Sequence, residues 1–336
     1  MTANYGGVKF SYDYEEYKYP SVLITFEMPS NDVTIDLSCA PIYKSLNEIK
    51  DSEPYYDYVT FGEWPQTKLT DTTVTVDESD SKDAGQFTYY KGSDNAWYAK
   101  LNSDYYKVEP IKWLVLTLNY NQTGKRLLFA ENVLTKSAYY DNSEIERTIN
   151  SKEIYPNNYE HSRVRALLNG LSYKKKTSSS DEMIDDLSFY EKGFLQTAFT
   201  EDEQKAIAIT TVVNNARSTN PMYNETFFNN GENYYASDIS TNDKIFLLST
   251  QEISNDVYGF SVDEKPDDMR IRVPTDFAKD VVSASESYWW TRSPGYATAG
   301  VRFCARHGDS RGSFEYRSGN SVGTTKMGIV PALCLE

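Results

Sequence analysis

Ile111 to Leu134 reads IKWLVLTLNYNQTGKRLLFAENVL, and the fold is decided by what this stretch needs around it. IKWLVLTL and KRLLFAENVL are rich in Leu, Val, Ile, Phe and Trp and are joined by a polar Asn- and Gly-containing connection, the composition of strands around one core. A third run of the same type lies upstream, YVTFGEWPQT from Tyr58. Between it and Ile111, TDTTVTVDESDSKDAGQFTYYKGSDNAWYAK predicts an inserted hairpin on the surface. Downstream the period changes. HSRVRALLNG places Val164, Leu167 and Leu168 on one helical face and stops at Gly170, the residue type favoured just past a helix end. Thr200 to Glu203 reads T-E-D-E, a capping box with Thr200 as N-cap, and Ala206, Ile207 and Ala208 are expected to continue that helix.

KIFLLS from Lys244 is again a strand, RVPTDFAKD a short Pro-started helix, and SYWWTRSPG leads into a Gly-rich β tail ending IVPALCL. Strands, then helices, then strands argue for an α+β fold over alternating βαβ units. Val330, Leu333 and Leu335 require burial, so the tail from Trp289 is expected to join the core of the first strands. At the other end, SVLITFEMPSNDVTIDLSCA alternates at Val22, Ile24, Phe26 and at Val33, Ile35, Leu37 around a Pro-Ser-Asn-Asp turn, which is a hairpin signal. The polar, Pro-broken YKSLNEIKDSEPYYD follows. A boundary near Ser52 divides an N-terminal β segment, 1–52, from a main domain, 53–336.

Composition narrows function by exclusion. The 336 residues carry a formal charge of -15, which opposes general binding to nucleic acid or an anionic membrane. Lys174, Lys175 and Lys176 lie together but run into a Ser-rich stretch, the pattern of a solvated loop. Cys39, Cys304 and Cys334 match no zinc spacing, although they allow one disulfide. His161 and His307 stand alone in sequence; His161, just ahead of a helix, reads as structural. The sequence shows no signal-peptide h-region and no run of 18 apolar residues.

The words YVTFGEWPQ, IKWLVL, RLLFAENVL, SRVRALLNG, FLQTAFTEDEQKAI, DKIFLLS, RVPTDFAKD, YWWTRSP and GIVPALCL occur in this order from Tyr58 to Glu336. Together they resemble a bacterial surface-protein domain of the formylglycine-generating-enzyme (sulfatase-modifying) branch of the C-type lectin fold, and within it the variable proteins diversified by retroelements. The resemblance implies a non-catalytic, receptor- or adhesin-like protein at the cell surface, an outer-membrane lipoprotein whose export signal lies outside this sequence. Its C-terminal region would be rewritten to change specificity for a protein or glycan ligand.

Residue usage in the tail bears on that idea directly. Thr291 to Thr325 contains five arginines and no lysine, although lysines outnumber arginines in the whole chain. It also lacks Gln, Met and Trp and holds one Glu, Glu315. A mutator acting on the adenines of Asn-type codons reaches Arg, Tyr, His, Asp, Ser and Gly but not Lys, Glu, Gln, Met or Trp. The general preference of interfaces for Arg over Lys is the plainer explanation of the arginines alone. The variable region is placed at about 291–325.

Alternation inside it predicts that Val301, Phe303 and Ala305 face inward and that Arg302, Cys304 and Arg306 are displayed. With Tyr296, Thr298, His307, Asp309, Arg311, Tyr316, Arg317 and Asn320 they form the candidate contact face, aromatic and adaptable polar groups on a Gly-bearing framework. Trp289 and Trp290 are expected to include at least one core anchor and Arg292 to brace that core through backbone carbonyls, so all three are assigned as framework. No catalytic residue and no metal ligand is assigned. The acidic runs SDEMIDD, VDESDSKD and VDEKPDD lack calcium-loop spacing and read as solvated loops, so calcium is open only through the lectin resemblance. Two further functions stay in play. One is a copper-dependent enzyme of the formylglycine-generating type, for which the resemblance implies a close cysteine pair. The other is a structural surface domain with a fixed partner.

Overall fold

A computed structural model describes residues 58–141, 147–176, 183–221, 240–262, 267–281, 288–295, 300–304 and 326–336 in full. It gives the backbone alone at 2–5, 8–13, 21–25, 43–44, 305–307, 310–314 and 320–321. The chain divides into two compact units, Met1–Pro41 and Ile42–Glu336, so the division falls ahead of the Ser52 boundary.

In the first unit β1 (Thr2–Tyr5), β2 (Val8–Asp13) and β3 (Ser21–Thr25) form an antiparallel sheet in that order. The expected hairpin supplies β3, which pairs with β2; its second limb, Val33 to Leu37, lies outside the described residues.

The second unit opens with β4 (Tyr43–Lys44), β5 (Tyr58–Lys68), β6 (Val76–Ala84), β7 (Phe87–Gly92), β8 (Trp97–Leu101), β9 (Asp104–Tyr120) and β10 (Lys125–Ala130). The inserted segment is therefore a three-strand meander, β6 to β8, that extends the main sheet, where a separate hairpin was expected. The acidic run VDESDSKD is the charged edge strand β6, exposed along almost its whole length, and charge on an edge discourages pairing with a second chain. After β11 (Asn132–Val133), β12 (Thr135–Ser137), β13 (Arg147–Ile149) and β14 (Lys152–Ile154) comes α1 (Arg163–Asn169). The Ser162 hydroxyl accepts from the Arg165 N–H at 3.0 Å to start the helix. Gly170 closes it at φ 68°, in the left-handed region glycine occupies without strain.

Next, β15 (Tyr173–Lys176) and β16 (Met183–Asp186) pair antiparallel. This corrects the solvated loop expected at Lys174 to Lys176. The lysines are half-buried and face acids, Lys174 on Asp185 at 2.8 Å and Lys175 near Asp141 and Asp186 at 3.8 Å each. Then follow α2 (Phe194–Ala198), α3 (Glu201–Ala206), β17 (Thr210–Val213), α4 (Ala216–Thr219), β18 (Ser240–Asp243), β19 (Ile245–Phe246), β20 (Val273–Pro274) and α5 (Asp276–Val281). The Thr200–Glu203 capping box is formed. The helix stops earlier than expected because Ile207 and Ala208 leave it for a strand: Ile207 bridges Leu335, and the Ala208 N–H donates to the Cys334 carbonyl at 2.8 Å.

The tail supplies β21 (Trp289–Pro294), β22 (Gly300–His307), β23 (Ser310–Phe314), β24 (Asn320–Ser321), β25 (Met327–Ile329) and β26 (Ala332–Leu335). Two sheets dominate. One runs β19-β26-β10-β9-β8-β7-β6, with β5 and β4 beside β9; the other runs β12-β25-β21-β22-β23, with β24 on β22. The chain is α+β and sheet-rich, as its element order implied. β26 is hydrogen-bonded between β10 and β19, and Val330, Leu333 and Leu335 are buried in one core with Trp113, Leu128 and Phe129. Each buried indole N–H reaches a carbonyl: Trp64 that of Leu134, Trp113 that of Phe61, Trp289 that of Arg270 and Trp290 that of Ser137, at 2.7–3.2 Å. That satisfaction lets such large rings be buried without stranding a donor.

Candidate functional site

All six residues of β21, Trp-Trp-Thr-Arg-Ser-Pro, are buried. Trp289 packs on Phe129 at 5.6 Å between ring centroids, and Trp290 on Tyr139 at 5.6 Å and Phe303 at 6.5 Å, so both tryptophans are core anchors, where at least one was expected. Arg292 braces the core as expected. Its Nε donates to the Val213 carbonyl at 2.9 Å and its Nη1 to the Leu247 carbonyl at 2.7 Å.

What the sequence reading missed is the anion beneath it. Glu252 takes the guanidinium in a two-pronged contact, 2.5 Å from Nη1 and 3.0 Å from Nη2, and its Oε1 also accepts from the Tyr120 hydroxyl at 2.5 Å. Its Oε2 accepts from the Ser249 N–H at 2.7 Å, while its own N–H donates to the Ser249 hydroxyl at 3.1 Å. Burial alone pushes the Glu252 carboxyl up. The Arg292 charge and the hydrogen bonds from Arg292, Tyr120 and Ser249 outweigh it and hold the group below the usual carboxylate range. A signal for Glu252 was present: Ser249 and Glu252 have the S-x-x-E spacing of a capping box, here around a 3-10 turn at Glu252–Ser254. Beside it, the Ser293 hydroxyl donates to the Thr219 carbonyl at 2.8 Å and the Thr250 N–H to Ser293 Oγ at 2.9 Å, which pins the end of β21.

The contact row needs correction at two positions. Val301, Arg302, Phe303 and Cys304 are 0%, 0%, 6% and 1% exposed, so the strand hides both of its faces and neither Arg302 nor Cys304 is displayed. One face meets Trp290 and Tyr288 through Phe303. On the other, the Cys304 thiol lies 3.8 Å from the Arg270 carbonyl, which belongs to a 3-10 turn at Asp268–Arg270. Alternation identifies a displayed set only where one face is wet.

Arg306 and His307 on β22, Arg311 on β23 and Asn320 on β24 are placed by backbone alone. The register sets Arg306 opposite Arg311, across an irregularity at Ala305/Arg306 where β23 carries an extra residue, Gly312, and sets Val301 opposite Asn320. Tyr296, Thr298, Asp309, Tyr316 and Arg317 lie outside the described residues. The stretch 295–326 thus lies between two wholly buried strands, β21 before it and β25 after it, and Thr291 to Pro294 of the region expected to vary belong to β21 itself.

Cys304 and Cys334 are both buried thiols on different sheets. Burial pushes the Cys334 thiol up to about 12. The His161 carbonyl accepts from Arg147 Nη1 at 2.6 Å, in keeping with a structural place for this residue. Among the described residues no group of three His, Cys, Asp or Glu side chains is placed to hold a metal ion. Several acids of the acidic runs are turned to local backbone, Asp77 accepting from the Ser79 N–H at 2.9 Å and Asp267 from the Met269 N–H at 3.0 Å, while Asp185 pairs with Lys174 and Glu78 accepts from Lys100 and Tyr105. No described helix is long and apolar enough to cross a membrane.

A family model described as a domain of unknown function (DUF6273) matches residues 112–336. No curated protein and no solved structure matches the chain.

Proposed function

The chain belongs to that DUF6273 family, and we propose that this member is a non-catalytic, surface-exposed ligand-binding protein with a C-type lectin-like domain of the formylglycine-generating-enzyme type. It resembles the Treponema variable protein, and its segment of about 291–325 is the part that a retroelement varies. The observation that carries this reading is the contrast between the segment and its brackets. β21 and β25 are buried and tied to the core through Trp289, Trp290, Arg292 and Met327, whereas residues 295–325 between them, apart from the buried Val301 to Cys304, have the lysine-free, Gly-bearing composition of a changeable face. A framework that holds both ends of a variable stretch can accept substitutions within it without losing the fold. The ligand is a protein or glycan on another cell surface, and the protein itself is an anchored lipoprotein.

Burial of Arg302 and Cys304 narrows the face to Tyr296, Thr298, Arg306, His307, Asp309, Arg311, Tyr316, Arg317 and Asn320. Randomising Arg306, His307, Asp309, Arg311, Tyr316, Arg317 and Asn320 together tests it. Most library members are expected to keep the parental melt while selection on a protein and glycan panel recovers binders of differing specificity. A library that is mostly unfolded, or one in which no variant changes binding, overturns the reading. The retroelement part has its own test, a near-identical template copy of the codons for Thr291 to Gly323 beside a reverse transcriptase, differing only at adenines.

The copper-enzyme alternative draws no support from the cysteines. Burial raises the Cys334 thiol, which favours its protonated form, and Cys304 pairs in register with Trp289 and Phe314. Copper-dependent oxidation of a sulfatase-type cysteine peptide that disappears in Cys304→Ser would reinstate it.

A further inference from the structure

Away from the tail, the second unit holds an open cleft of about 430 Å3 between the β5–β9 pair, β11 and the junction of β20 with α5; none of its lining residues lies within 291–325. That volume is in the range of small-molecule sites, about 300–1,000 Å3. Two β-bulges shape its floor. An extra residue is accommodated at Phe61 and Gly62, between the Thr60–Lys112 and Glu63–Pro110 pairs, and Gln66 is the extra residue between Pro65–Val108 and Thr67–Lys107. Gly62 sits at φ 69° to allow the first. Bulges re-aim side chains beside sites in many sheets.

The polar groups around this floor are already held in place. Gln66 Nε2 donates to the Glu109 and Pro110 carbonyls at 3.0 Å each, which uses both amide hydrogens and leaves Oε1 as an acceptor. Glu109 Oε2 accepts from the Thr67 N–H at 3.1 Å and hydroxyl at 2.6 Å, leaving Oε1 to accept. Asp276 accepts from the Lys68 N–H at 3.4 Å and from Lys279 Nζ at 2.9 Å. The Thr275 hydroxyl oxygen accepts from the Ala278 N–H at 3.1 Å, so its hydrogen can donate. Lys112 and Asn132 add donors to the same lining.

We propose that this cleft binds a neutral, hydroxyl-rich ligand about one sugar ring in size. The charge pattern selects it. A cation in the cleft meets Lys112, and an anion meets Glu109 and Asp276. A hydroxyl both donates and accepts, so a polyol satisfies acceptors and donors together and places no net charge against either. The fixed side chains lower the ordering cost that otherwise consumes the affinity of small polar ligands.

Saturation-transfer NMR on the full chain with D-glucose, D-galactose and N-acetyl-D-glucosamine, with putrescine and inorganic phosphate as charged controls, tests the assignment. Transfer to at least one sugar is expected. In Glu109→Gln its affinity should fall about tenfold, the scale of a lost hydrogen bond to a charged acceptor. Asn132→Ala serves as the second variant, both being read only where the melt matches the parent. An Arg306→Ser, Arg311→Ser variant should keep the sugar signal, which separates this cleft from the tail face. Absence of transfer to all three sugars, equal transfer in both cleft variants, or stronger transfer to putrescine or phosphate overturns the proposal.

Discussion

β17 and the first half of β22 teach opposite lessons about the same rule. In β17, Thr210 and Val212 are buried while Thr211 and Val213 are exposed, the alternation of a strand with one wet face. In β22, Val301, Arg302, Phe303 and Cys304 are all buried; Trp290 and Tyr288 pack beside Phe303 on one side, and the turn at Asp268–Arg270 lies against Cys304 on the other. Polar residue types in a strand therefore do not by themselves mark its outer face. Where cover exists, a polar side chain is carried inward and must find partners, and β21 does this openly with Arg292 on Glu252.

The sharpest way to break the comparison is to remove the cover. Trp290→Ala is expected to cost about 3–5 kcal/mol, since its ring is wholly buried against Tyr139 and Phe303, and chemical denaturation measures it. An unchanged midpoint would mean that β22 does not depend on that wall.

The inward polar pair gives a pH signature. The Glu252 carboxyl lies below its ordinary 4.5 in the folded state, so its stabilisation is complete above that value and is lost as pH falls through the folded one. Glu252→Gln should be much less stable at pH 7, by about 3–5 kcal/mol where Arg292 is left buried without its anion. The gap between wild-type and variant melts should narrow as the pH drops below about 4. A gap constant across that range would remove the ion pair as its cause.

Arg302→Ala should cost about 2–4 kcal/mol through lost buried packing. Thr211→Ala on the wet face of β17 should stay within about 0.5 kcal/mol. Equal effects would dissolve the distinction. The gentlest probe is chemical: on a Cys39→Ser background, neither Cys304 nor Cys334 should react with a thiol reagent until the protein unfolds, given exposures of 1% and 0%. Rapid labelling of Cys304 in the native protein would restore it to the contact face.

Much of the fold was legible because the large apolar runs have few places to go. IKWLVLTL, KRLLFAENVL and IVPALCL became adjacent strands β9, β10 and β26, and Gly170 and Thr200 ended and began helices as their chemistry required. Local signals failed where a long-range partner decided the outcome. Ile207 looked helical by pattern but pairs with Leu335, and Lys174 to Lys176 looked like loop but form a strand against β16, with Lys174 and Lys175 meeting acids. At the candidate site, the framework could be read because tryptophans and a brace next to a β run have one common use. Arg302 could not, because nothing local in VRFCAR announces that the strand is buried on both faces. The cleft at Gln66 and Glu109 was invisible for a related reason: bulges are defined by pairing, and pairing is not written in either strand alone.

The place of β26 also sets a schedule for synthesis. Leu128 on β10 pairs with Leu333 on β26, and β26 is the strand that joins β10 to β19. A ribosome adding about 5–20 residues per second delivers Leu333 on the order of ten to forty seconds after Leu128. Throughout that interval the apolar edge of β10 has no neighbour on its far side, so nascent chains should lean on holding chaperones until the last strand emerges.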